Sequence, residues 1–156
     1  MKWFLLAYFL FEVDNKTKRR AEEKLKKGGQ PVPVLGGKFL LQRMSNKGMA
    51  GGTLSEKSDE IRKASTAAAS IIGLNFLIEL TRKGRPLSKI ASSLLIAGAA
   101  GNLYDRWARG SVTDFLRLGK RFGKLSGAVF NFADTFILSG GFMMILSILL
   151  KKGKKG

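Results

Sequence analysis

A chain of 156 residues has room for one domain, and no Pro- or Ser-rich stretch divides it into two. It contains neither cysteine nor histidine, which excludes thiol nucleophiles, Ser-His-Asp triads, disulfides and nearly all zinc sites. The formal charge of +17 would suit a nucleic-acid binder, yet the apolar residues are gathered into long runs with the charges between them, the pattern of a membrane protein, so no nucleic-acid partner is expected.

Four apolar segments can be weighed against the ~20 residues a helix needs to cross a ~30 Å hydrocarbon layer. The first, Trp3 to Val13, is short and becomes a span only if the helix continues through Glu12 and Asp14, to about residue 18. Lys2 with the apolar run behind it also resembles a signal peptide, but no small-residue cleavage site follows. The basic run Lys16 to Lys27 reads as a solvated or headgroup-facing helix end. From about residue 30 to 53 come the turn-rich GGQPVPVLGG and a stretch of short-strand character, Lys38 to Met44, which predict a small β element on one membrane face.

The second segment, about Ala64 to Thr81, holds Asn75 and Glu79. The third, about residues 87 to 105, is rich in Ala, Gly and Ser, so neighbouring helices can approach it closely. The fourth, Val129 to Leu150, is the longest and ends in the basic tail KKGKKG.

Acidic residues number only 11, and four of them flank these segments: Asp14, Asp105, Asp114 and Asp134. If consecutive helices run antiparallel, all four meet at one membrane face. Ionisable groups at membrane depth are costly, which makes them functional candidates. Two adjoining carboxylates share a proton, one serving as base toward water and the other as acid, and this is the chemistry of an aspartic protease with no metal or cofactor. Structural readings compete. Asn131 could cap a helix with Asp134 at its third position; Asp105 could pair with Arg106, leaving Asp114 in a loop free to swing toward Asp134; Ser126 and Lys124 could form a dyad.

The segments GNLYDRWARGSVTDF, Gly101 to Phe115, and VFNFAD, Val129 to Asp134, resemble the paired signature of the lipoprotein signal peptidase (signal peptidase II) family, GN-x-x-DR, glycine, V-x-DF and then FN-x-AD. DNKTK, Asp14 to Lys18, is similar to that family's DQ-x-x-K element, and NKGMAGG, Asn46 to Gly52, to its N-x-G-x-A element. Asn15 stands where glutamine is common, and Gly51 where an aromatic residue is usual.

The resemblance implies an all-α integral membrane fold, a four-transmembrane-helix bundle with a small extracytoplasmic β cradle. It implies Asp114 and Asp134 as the catalytic pair, with Asn102, Asp105, Arg106 and Asn131 around it and Asp14, Lys18, Asn46 and Gly48 in support. The implied activity is that of an aspartic endopeptidase in the bacterial cell membrane. It would remove signal peptides from diacylglyceryl-modified prolipoproteins before the lipidated cysteine, near the extracytoplasmic face, among membrane lipids and without cofactor or metal. The alternative is a non-catalytic or divergent paralogue binding lipoproteins or anionic lipids. That orientation leaves only Lys2, Arg82, Lys83, Arg85, Lys89 and the four tail lysines inside, against the positive-inside tendency, although long external regions weigh little in it.

Overall fold

The computed structural model describes residues 1–48 and 55–152. Four long helices carry the mass: α1 (Lys2–Lys24), α2 (Ser58–Thr81), α3 (Pro86–Ala108) and α4 (Phe132–Lys152). Strands β1 (Val32–Val34), β2 (Phe39–Asn46), β3 (Val112–Leu118) and β4 (Val129–Phe130) form one antiparallel sheet in chain order. The β element foreseen from the sequence ends among residues 49–54, outside the described residues.

α1 runs well past the apolar stretch that suggested it, because its polar second half has partners inside the protein: Asp14, Asn15 and Lys18 are buried. α2 begins six residues before the apolar run, with Asp59 and Glu60 in its first turn, where acidic groups complement the helix dipole. Pro86 opens α3 at a position whose missing N–H costs nothing. The fourth apolar segment divides: Val129 and Phe130 are strand, and the helix begins only at Phe132.

α3 is the central helix, packed against α1, α2 and α4. Small residues set its distance from α4. A side chain at Gly98 would collide with the Ala133 carbonyl and Ile137, and one at Gly101 would come within 2.5 Å of Asp14 Oδ2. Close approach of this kind compensates in lipid for the absence of a hydrophobic drive between helices.

The interior is correspondingly polar, with Ser88, Ser92, Ser93, Asn102 and Asp105 buried on α3. Large apolar side chains point outward instead, among them Phe4 and Phe9 of α1, Ile71 and Leu74 of α2, and Leu138, Phe142 and Ile145 of α4. By length and hydropathy, α2 and α4 are the two helices among the described residues able to cross a membrane unaided. α1 misses that test through the charged residues of its second half, and α3 through its serine, glycine and asparagine content.

Asp114 is not in a loop. Gly110, at φ +72°, turns the chain sharply out of α3, and β3 starts two residues later, pairing with β2 so that Met44 faces Asp114 and Asn46 faces Val112. An irregularity between Leu41 and Met44 re-registers β2 just before this point, so the strand that carries Asp114 is held on a defined row.

Candidate active site

Asp134 sits in the first turn of α4, where Asn131 caps the helix. Asn131 Oδ1 accepts from the Asp134 amide at 2.9 Å, and Asp134 Oδ2 accepts from the Asn131 amide at 3.3 Å. This is the reciprocal capping arrangement the spacing suggested. It does not compete with a chemical role, since the other half of the Asn131 side chain donates from Nδ2 to Asp114 Oδ1 at 2.7 Å. One buried asparagine therefore holds both carboxylates. Its orientation is fixed, because the oxygen must face the Asp134 amide and the nitrogen the Asp114 carboxylate.

Each carboxylate has one further donor. Asn46 Nδ2 reaches Asp114 Oδ2 at 3.2 Å, and Asn102 Nδ2 reaches Asp134 Oδ1 at 2.8 Å. Asn46 in turn accepts from the Gly48 amide at 3.0 Å. Burial and the adjacent Asp134 charge push the Asp114 carboxyl up to about 6, against the pull of its asparagine donors.

Behind the pair lies a cationic anchor. Lys18, with no exposed surface, places Nζ 2.7 Å from Asp14 Oδ2 and 3.1 Å from Asp105 Oδ2 as ion pairs and donates to Asn102 Oδ1 at 3.0 Å. The last contact fixes the Asn102 amide with its nitrogen toward Asp134. Asp14 Oδ1 accepts from the Ala133 amide at 2.8 Å, so a carboxylate of α1 helps cap α4.

Asp105 is paired with Lys18 and with Arg109, at 2.8 Å, and it accepts from the Thr113 amide at 3.2 Å. Arg106 is not its partner. Successive residues of a helix point about 100° apart, whereas residues four apart share a face. Arg106 turns instead to the Asn102 carbonyl at 3.3 Å and the Gly48 carbonyl at 3.2 Å, with its charge toward Asp134 and Asp114.

The residues singled out from the sequence, Asp14, Lys18, Asn46, Gly48, Asn102, Asp105, Arg106, Asp114, Asn131 and Asp134, thus fall in one connected cluster. Met49 to Gly52 lie outside the described residues. Arg109 was missed: it also reaches Glu22 at 3.4 Å and Asn15 Oδ1 at 3.3 Å, tying α1 to α3. Its spacing of four from Asp105 was the available signal. Ser126 and Lys124 lie in the exposed β3–β4 connection, away from the buried cluster.

A cavity of about 690 Å³ opens over the two carboxylates. Asn46, Asn102, Arg106, Asp114 and Asp134 form its polar end, and Val112, Leu118, Val129, Phe130, Ile137 and Leu138 its apolar walls. An extended polar chain with apolar appendages would fit these surfaces.

The fold is mostly helical with one small antiparallel sheet, and the cluster lies where helices and sheet meet. Two bacterial membrane enzymes solved by the in meso method superpose on this fold. One, at 2.3 Å resolution, gives a TM-score of 0.84 over 99% of this chain and 92% of the other at 27% identity. The second, at 1.9 Å, gives 0.78 over 95% and 92% at 28% identity. The lipoprotein signal peptidase of Clostridium acetobutylicum is 37% identical over 92% of this chain and 90% of its own length, and that of Caldicellulosiruptor bescii is 34% identical over 98% and 93%. A sequence model of the family Signal peptidase (SPase) II matches residues 6–150, and the chain belongs to that family.

Proposed function

We propose that the chain is a membrane-embedded aspartic endopeptidase that removes signal peptides from diacylglyceryl-modified prolipoproteins, cutting before the lipidated cysteine. The observation that carries this reading is the meeting of Asp114, from β3, and Asp134, from α4, at one cavity, bridged by Asn131.

The pair shares a proton. The ionised carboxylate takes a proton from water as the oxygen attacks the scissile carbonyl; the protonated one donates to the carbonyl oxygen, and the amine leaves with a proton from the pair. Burial and the Asp134 charge both oppose ionisation of Asp114, which suits it to hold the shared proton. Arg106 lines the same cavity and limits the build-up of negative charge there. Asn102 and Asn131 keep the carboxylates oriented without titrating themselves. No step calls for a cofactor.

In this reading the chain is a single unit with four spans, about residues 3–18, 64–81, 87–105 and the helical part of the fourth segment, 132–150, and the sheet, Val129 and Phe130 included, is an extracytoplasmic cradle for the substrate. The outward apolar faces of α1, α2 and α4 support lipid contact on those helices. The charged residues of α1 and α3 are compatible with spanning because they pair within the bundle.

The test is turnover of a diacylated prolipoprotein by purified protein. Asp114→Asn and Asp134→Asn should each lower the rate by about 10²–10⁴-fold, the contribution typical of positioned proton transfer, with thermal unfolding near that of the parent. Substantial cleavage by either variant removes the dyad.

A further inference from the structure

We propose that the far tip of the sheet is a docking surface for anionic phospholipid, holding the cradle down on the leaflet beside α4. The inference rests on the orientation given above, with the sheet on the extracytoplasmic side.

The β1–β2 turn and the β3–β4 connection meet at this tip, where the Gly119 amide donates to the Lys38 carbonyl at 2.9 Å and Phe39 packs against Phe122 at 5.5 Å between ring centroids. Three apolar side chains project from it into the surroundings: Leu35, 74% exposed, Leu125, 65%, and Phe122, 40%. Around them stand Lys38, Lys120, Arg121 and Lys124, all exposed. The two sequence stretches that build the tip, 31–46 and 115–130, contain six basic residues and no aspartate or glutamate, so nothing within them neutralises the charge.

A cavity of about 390 Å³ opens between Arg117, Lys120 and Arg121. Arg117 is oriented there by the bond from its Nη1 to Gln42 Oε1 at 2.9 Å. A phosphodiester headgroup matches this basic recess, and acyl chains match the exposed Leu35, Phe122 and Leu125 of the same tip. The position is also right for lipid. The large cavity is walled both by Leu118 and Ala128 near the tip and by Ile137 and Leu138 of α4, so the sheet leans over the flank of α4 where Leu138 is 74% exposed. Apolar side chains ringed by lysine and arginine are the pattern of an interfacial anchor, and an anionic surface adds an attraction for each basic residue.

The absence of cysteine allows single nitroxide labels. Leu125→Cys reports the tip and Ile145→Cys reports the middle of α4, each in lipid nanodiscs of phosphatidylcholine alone or with one third phosphatidylglycerol. The measurement compares collisions with oxygen, which enters the acyl region, and with a water-soluble nickel chelate. The Leu125 label should enter the headgroup–acyl boundary when phosphatidylglycerol is present and lie shallower without it. Lys120→Gln, Arg121→Gln and Lys124→Gln together should lower the docked-to-lifted ratio about 100-fold, from roughly fivefold per basic residue at an anionic surface. Salt at 1 M, where the screening length is ~3 Å, should act in the same direction.

If the Ile145 label is in lipid but the Leu125 label stays in water with both lipids, docking is refuted and the membrane reading stands. If the Leu125 label is equally deep in both lipids and indifferent to the triple substitution, the tip is merely greasy and the anionic proposal fails. If the Ile145 label is itself in water, the spanning arrangement fails, and docking with it.

Discussion

Replacing Lys18 by methionine keeps the length of the side chain and removes its charge. The ammonium makes two ion pairs and one hydrogen bond and has no exposure, so the substitution strips Asp14, Asp105 and the Asn102 carbonyl oxygen of a partner at once. Breaking one half of a buried ion pair costs about 3–5 kcal/mol. Three residual contacts favour the lower end of that range: Asp105 keeps Arg109 at 2.8 Å and the Thr113 amide at 3.2 Å, and Asp14 keeps the Ala133 amide at 2.8 Å. The expected loss is therefore about 3 kcal/mol, which for a chain of this length is a fall in melting temperature of roughly 6–12 °C. Activity should fall too, even below the new melting temperature, because the Asn102 amide loses the contact that aims its nitrogen at Asp134. Thermal unfolding in detergent and initial cleavage rates measure the two effects. The double variant Asp14→Asn with Lys18→Met should lose less than the sum of the single changes, since the partners act as a unit. A Lys18→Met protein that melts within 2 °C of the parent and cleaves normally would refute the anchor.

Asp105→Asn should lower melting temperature and cleavage rate together, since it weakens Lys18, Arg109 and the Thr113 amide at once; a fully stable but inactive variant would place Asp105 in the chemistry instead. The Asp114 carboxyl, raised to about 6, binds its proton more tightly in the folded protein than in the unfolded chain. Its contribution to stability is thus fully present below the unfolded value near 3.8 and is lost as pH rises through about 6, a slope that Asp114→Asn should remove from melting curves. The acid limb of kcat/KM should fall in the same region, and its absence there would count against the dyad. Gly101→Ala drives a methyl group toward Asp14 Oδ2 and should cost about 1–3 kcal/mol, as overpacking does, read from the same melts. Single cysteines between Trp107 and Ala128 should react with impermeant reagents from the extracytoplasmic side only.

The helices and the site were legible to different degrees, and the reasons are local. α4 and α2 announce themselves because each carries a long apolar run with few charges. α1 does not, because Asp14 and Lys18 break its apolar run. Four residues apart on one helix face, they pair with each other, and the pair is buried by packing against α3 and α4. β3 was read as a loop for a related reason. Its period-2 row is Val112, Asp114, Leu116, Leu118, and the Asp114 carboxylate is the polar residue that interrupts the apolar alternation. The partner that completes the strand, β2, lies some 70 residues earlier, so no local pattern records the pairing. The choice of Arg106 over Arg109 for Asp105 followed adjacency in sequence where helix geometry favours a spacing of four.

The competition between Asn131 as a helix cap and Asp134 as a catalytic group dissolves once the atoms are assigned. A helix starting beside a polar cavity has amides with no intrahelical acceptor, and here they are met by Asn131, Asp134 and Asp14. The groups that satisfy the helix end are therefore held with little freedom, which is what a proton-sharing pair needs of one member. The other, Asp114, arrives on a sheet rather than a helix and is held from two sides by Asn46 and Asn131. Neutral amides suit this position better than lysine or arginine in direct contact. They fix geometry without a cation in direct contact: Lys18 is set one residue further back, behind Asn102, and Arg106 lines the cavity while bonding to the Asn102 and Gly48 carbonyls.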